Sequence, residues 1–186
     1  TGAVIRDRPA RHTMGIDAMT DFVHLRIHTA HSLSEGAVRT GALAKKCAEN
    51  GMPAAAMADS GTLAGAMDFT KTMTKAGVQP IVGCQLWLDH PPVDAREEGA
   101  SKIALLAQHE EGYQNLVRLV ARAHSDRETG GDPAVSLATL RGHTDGLIAL
   151  TGGPEGPVDR ALALGAPDRA RQRLAAFRKL FGDRAY

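Results

Sequence analysis

In "HLRIHTAHSLSEG", residues 24 to 36, an extended segment carries His24, Arg26 and His28 at alternating positions. Side chains two apart on a strand share a face and stand about 7 Å apart at the backbone, so His-x-His there would chelate one divalent ion. The sequence places Arg26 where the first such histidine would be. A guanidinium has no lone pair to offer and keeps its charge, so it repels a metal. His24 and His28 are about 13 Å apart, too far for a shared ion. The preferred reading makes both histidines strand residues hydrogen-bonded in a core.

Other chemistry-bearing residues fall where strands give way to loops. Asp59 ends an apolar run and precedes Ser60 and Gly61. It suits a metal ligand or general base, but an N-cap for a helix starting near Thr62 is the simpler role. Gln85 offers only a neutral amide oxygen and reads as a polar strand residue. His31 and Glu35 lie in the loop after the first strand and can approach the same pocket. His12, His90, His109, His124 and His143 have no interpretable mutual spacing, and solvent exposure is their default.

Two glycine clusters, "ADSGTLAG" and "TGGPEGP", invite a phosphate reading but match neither a Walker nor a Rossmann pattern. Tight turns explain them more simply. Arg169, Arg171, Arg173, Arg178 and Lys179 read as the solvated face of a helix.

The elements that must position these residues follow from periodicity. "DFVHLRIH" alternates as a strand, with Phe22, His24, Arg26 and His28 on one face. "GAVRTGALAKKCAENG" and "TLAGAMDFTKTMTKAG" read as helices stopped at Gly51 and Gly77. "MPAAAMAD", "VQPIVGCQLWL", "KIALLA" and "GLIALTGG" read as strands. "EGYQNLVRLVARAHSD" reads as a helix with Leu116, Leu119 and Val120 inward, and "SLATLRG" as a shorter helical piece. "PDRARQRLAAFRKLFGD" is amphipathic, with Leu174, Phe177 and Leu180 on its apolar stripe. Residues 90–101 and "RETGGDP" are loops. About five strands alternating with helices predict a largely parallel α/β sheet, with no strand after the final helix.

The chain has 186 residues, 43% hydrophobic and 23% charged, with a net charge of +1 and 4% aromatics. This is an ordinary soluble composition without the global basic field of a nucleic-acid binder. Cys47 and Cys84 fit no metal knuckle or disulfide framework, which favours a reducing cytoplasm. No apolar run reaches membrane-spanning length. Residues 1–20 are expected to be a disordered extension or expression remnant, with Met14 or Met19 as natural starts, and residues 21–186 one incomplete domain.

The blocks "FVHLRIHTAHSLSEG", "GMPAAAMADSGTLAG", "GVQPIVGCQLWL", "EGYQNLVRLVARAH" and "GLIALTGG" together resemble the PHP (polymerase and histidinol phosphatase) domain at the N-terminus of replicative bacterial DNA polymerase III α subunits. The resemblance spans residues 21 to 186. It implies a distorted (β/α)7 barrel, truncated so that the last strands are missing. Metal-binding members carry H-x-H on the first strand, then an acid, an Asp-His, a Glu and a later His. By position this chain keeps His28, Glu35 and Asp59, and departs at Arg26, Ser60, Gln85 and Lys102.

Four lost ligands, two replaced by cations, imply a metal-free and catalytically silent domain with no cofactor of its own. Magnesium and DNA synthesis would belong to absent domains of the parent polymerase. The implied role is structural, including docking of the proofreading exonuclease subunit. Arg26 is expected to pair with Glu35 or Asp59. Two rivals remain: a residual metal-dependent phosphoesterase or 3′–5′ exonuclease on His28, Glu35 and Asp59, and a module binding phosphate or DNA backbone through Arg26, Lys102 and the glycine turns.

Overall fold

Strand residues Ala55 to Asp59 are all buried, with no alternation of exposure. Such a run needs cover on both sheet faces, and the flanking helices of a βαβ arrangement give it. In the computed structural model this segment is β2 (Ala54–Ser60), between β1 (His24–Ile27) and β3 (Gln79–Asp89). Helices α1 (Thr40–Glu49) and α2 (Ala66–Lys75) make the crossovers, so β1, β2 and β3 are parallel. Both helices stop as expected, at Gly51 and Gly77. The structure describes residues 22–33, 35–92, 94–97, 100–126, 132–151 and 153–186. The expected extension at 1–20 lies outside them.

The second half departs from the parallel expectation. β4 (Ser101–Ala107) pairs antiparallel with β3, and β6 (Leu147–Leu150) antiparallel with β4. The reason lies in the connection between β3 and β4, whose described residues form no crossover helix, and such a connection returns a strand antiparallel. Helix α3 (Glu110–Ser125) follows β4. A three-residue strand, β5 (Ala134–Ser136), then adds parallel to Trp87–Asp89 of β3. This strand is too short for periodicity to reveal, and makes six among the described residues rather than about five. Helices α4 (Leu137–Arg141), α5 (Pro157–Ala163) and α6 (Pro167–Phe181) complete the order. α5 hides in the glycine- and proline-rich run after β6.

The result is a mixed α/β sheet of order β1-β2-β3-β4-β6, with β1 at one end and β6 at the other. One core forms where Leu86, Leu88, Leu105 and Ala149 meet Leu116, Leu119, Phe177 and Phe181. The other packs Ala55 and Met57 against Cys47, Phe69 and Met73. Leu63 touches both. Among the described residues, no helix is long and apolar enough to cross a membrane.

α6 corrects the expected stripe. Its buried residues are Ala170, Arg173, Phe177 and Phe181, while Leu174 is exposed. Arg173 is thus no solvated cation. It donates to both carboxylate oxygens of buried Glu97 at 2.7 Å, and to the carbonyls of Pro157 and Pro91 at 2.8 and 3.0 Å. An arginine inside a face otherwise made of alanine and phenylalanine was read by its charge. Its acid partner, 76 residues away, carried no local signal.

Candidate functional site

Three parallel strands send their C-terminal ends to one side of the sheet, and antiparallel β4 brings its N-terminal end to the same side. That geometry collects Arg26 from β1, Ser60 from β2, Gln85 from β3 and Lys102 from β4. The loop after β1 adds His28 and Glu35, and the loop after β6 adds Glu155. Ser60 and Gln85 are register partners, and Lys102 is paired with Trp87. All the positions marked by the resemblance, except Asp59, therefore join one polar cluster.

The cluster is wired by charge. Arg26 Nε donates to Gln85 Oε1 at 2.9 Å and Nη2 to the same oxygen at 2.5 Å. Nη2 also lies 3.9 Å from Glu155 Oε2. Lys102 Nζ sits between two carboxylates, 3.1 Å from Glu35 and 3.0 Å from Glu155, and 5.5 Å from the centre of the Trp87 ring. Gln85 Nε2 donates to Ser60 Oγ at 2.9 Å. Ser60 Oγ in turn donates to Glu35 Oε2. Ser32 Oγ donates to the same oxygen at 3.3 Å and accepts from the Ser60 amide at 3.0 Å. His28 Nδ1 stands 3.3 Å from Ser32 Oγ and 3.6 Å from Glu35 Oε2.

The electrostatics follow from these contacts. Burial pushes the Glu35 carboxyl up, but Ser60, Lys102 and His28 outweigh it and hold it below the ordinary value. Burial pulls Lys102 down, yet Glu155 and Glu35 leave its ammonium above the ordinary lysine value. Both shifts favour the charged forms.

Several expectations change here. Arg26 points into the cluster as expected, but its acceptors among the described residues are Gln85 and Glu155, not Glu35 or Asp59. Lys102 takes Glu35 instead. Glu155 was missed because "TGGPEGP" reads as a turn. Charge balance could have found it, since Arg26 and Lys102 facing one inward acid require a second. Gly153 makes its approach possible: φ is 104°, and a Cβ there would stand 2.8 Å from Arg26 Nη1.

Asp59 is not a helix cap. α2 begins at Ala66, with no side-chain cap. The buried Asp59 carboxylate instead accepts from the Thr29 amide at 2.5 Å and from Thr29 Oγ1 at 2.7 Å, fixing the chain as it leaves β1. Neighbouring strand residues face opposite ways, which separates Asp59 from Ser60 and its cluster. The His31 ring lies by Gly65, where a Cβ would come 2.7 Å from the ring and 3.3 Å from Asp59 Oδ2.

His24 is exposed, its ring edge-on to Phe22 at 4.7 Å, and so lies outside the core. His28 is half-buried. The default exposure is corrected for His90 and His143, which are half-buried, while His124 is exposed as expected; all three rings are engaged. His90 Nε2 lies 2.5 Å from Ser101 Oγ, His124 Nε2 2.7 Å from Gly61 O, and His143 Nδ1 3.0 Å from Thr139 O. His109 is exposed, and His12 is outside the described residues.

A metal at this place would need three or more convergent donors. Among the described residues, no group of three His, Cys, Asp or Glu is placed to hold an ion. Asp59 is turned to Thr29, and Glu35 is engaged by Ser60 and Lys102. Two fixed cations stand where ligands would be required. The described residues at this place do not fit a metal centre.

The sequence model of the "PHP domain" matches residues 24–186. DNA polymerase III subunit alpha of Caulobacter vibrioides is 42% identical over 168 residues, covering 89% of this chain and 15% of that protein. The same subunit of Pseudomonas aeruginosa is 37% identical over 166 residues, covering 89% of this chain and 14% of that protein. The chain thus spans about a seventh of the length of these relatives. An amidohydrolase structure from Chromobacterium violaceum aligns at 13% identity with a TM-score of 0.46, over 79% of this chain and 74% of that one.

Proposed function

The chain belongs to the PHP domain family, and from that premise we propose that it is a metal-free, catalytically silent scaffold within a replicative polymerase α subunit. The observation that carries this reading is the Arg26–Glu155–Lys102–Glu35 network, with Ser60 and Gln85 bound into it. Metal ions tie the strands of a barrel together through coordinate bonds. Here charge-assisted hydrogen bonds link β1, β3, β4 and two loops in their stead. Hydrolysis would require a polarising ion or an activated water, and a site closed on itself by paired charges offers neither.

The anion-binding rival loses support from the same contacts, because Arg26 and Lys102 both face carboxylates. The phosphoesterase rival is left with His28 and Glu35, while Asp59 is engaged elsewhere. DNA synthesis, with its magnesium, belongs in this proposal to the rest of the polymerase, and the proofreading exonuclease subunit docks on the scaffold.

Elemental analysis of protein purified without chelator tests the metal-free reading. Less than about 0.1 zinc, manganese or iron per chain is expected, with a melting temperature unmoved by EDTA. Stoichiometric metal whose removal lowers that temperature would overturn it. Docking is tested separately, by co-elution of the chain with the exonuclease subunit of the same organism.

A further inference from the structure

Arg26 and Lys102 are neutralised within the strand-end cluster, whereas Arg118 and Arg122 on α3 have no carboxylate within ion-pair distance among the described residues. Arg118 and Arg122 stand one turn apart on the exposed side of α3, separated by about 6 Å of helix rise. Arg118 donates to the neutral amide oxygen of Asn115 at 3.0 Å. Neither has a carboxylate partner among the described residues, a condition shared by Arg39, Arg141, Arg169, Arg178 and Arg184 but not by Arg96, Arg160, Arg171 and Arg173; what sets Arg118 and Arg122 apart is that they flank one groove.

These two arginines line a pair of adjoining depressions between α3 and α4, of about 290 and about 360 Å³, which share Arg122 and His143. Ser125 and Thr139 add hydroxyls. The His143 ring is held by its Nδ1–H on the Thr139 carbonyl at 3.0 Å, leaving Nε2 as its remaining polar atom. Asp126 lies in the second depression and restricts the positive field to the Arg118 side. The apolar lining is Ala121 and Ala138, with Gly142.

We propose that this α3–α4 groove binds the sugar–phosphate backbone of a single nucleic-acid strand. Guanidinium forks match phosphate oxygens bidentately, and hydroxyls supply the second class of backbone donor. Among the described residues, the groove has no aromatic or large aliphatic anchor of the sort that carries a protein interface. Nor does it offer a stacking platform for bases. It therefore grips phosphates without reading sequence. A net charge of +1 makes this grip local and strongly salt-dependent.

The test is fluorescence anisotropy of a labelled single-stranded oligothymidylate with the whole chain, titrated across ionic strength. Two double variants lose the same charge: Arg118→Ala/Arg122→Ala in the groove, and Arg169→Ala/Arg178→Ala on the exposed face of α6. Circular dichroism confirms that both remain folded. The groove variant is expected to bind about tenfold more weakly. Its plot of log K against log salt should flatten by about 1.4, for two released phosphate contacts on a single strand. The α6 variant should match the parent. Equal weakening in both variants would overturn the proposal, as would no binding by the parent at low salt. Polyglutamate competing as well as the oligonucleotide would reassign the groove to an acidic protein segment and overturn it too.

Discussion

Lys102 holds two carboxylates at once, Glu35 at 3.1 Å and Glu155 at 3.0 Å, while presenting its charge to the Trp87 ring. Lys102→Met leaves those acids gathered with one fewer cation, and about 1–2 kcal/mol of stability should be lost in urea unfolding. The pH dependence separates charge from packing. Glu35 is held below its ordinary 4.5, so its contribution is complete above that value and disappears as pH falls through the folded pKa. Lys102 is held above its ordinary 10.5, so its contribution is complete below that value and disappears as pH rises through its folded pKa. The stability gap between parent and Glu35→Gln should therefore be widest near neutrality and close in acid below about pH 4.5. A gap constant from pH 7 to pH 3 would mean that Glu35 acts by shape alone. The importance of Arg26 and Lys102 was legible in the sequence because each sits where a ligand type is expected. Their partners were not, because nothing local in "TGGPEGP" marks Glu155 as inward.

The elements around Glu97 are joined by an enclosed ion pair. The side chain of Glu97 is 1% exposed and that of Arg173 is 8% exposed, and through Pro91, Pro157 and Arg160 they tie the β3–β4 loop to α5 and α6. Removing one member of a buried pair strands the other, so Arg173→Met should cost about 3–5 kcal/mol. Arg173→Met with Glu97→Met removes both charges and should recover much of that loss, a coupling that a double-mutant cycle in urea reads directly. If the double variant is no more stable than the single one, the elements are held by carbonyl contacts rather than by the ion pair. Leu174→Lys on the same helix should change stability by less than about 0.5 kcal/mol, since Leu174 is exposed. Helix periodicity identified α6, and Phe177 with it. Leu180 packs against the core as expected; only Leu174 was misassigned, one position from Arg173, because a buried arginine looks polar until its acid is known.

At the scale of the whole molecule, the βα order of the first half was readable because each crossover has an amphipathic helix and a glycine stop. The antiparallel second half was not, since the reversal depends on a β3–β4 connection whose described residues form no helix and on a three-residue strand. That arrangement makes β3 the hub: it pairs β2 over 79–85 and β5 over 87–89 on one edge, and β4 over 83–88 on the other. β1 contributes four residues and has one strand neighbour, β2, among the described residues. It is held at its exit by the Asp59–Thr29 bonds. Amide exchange should rank the strands accordingly, with Cys84 to Leu88 slowest and His24 to Ile27 far faster, because local opening follows the contacts that must break. Thr29→Val removes the hydroxyl that Asp59 accepts and should speed exchange at β1 while leaving β3 unchanged. Mass-spectrometric exchange on both proteins checks this. Acceleration spread evenly over β1 and β3 would show that β1 opens only with the entire sheet, and that the molecule behaves as one cooperative unit.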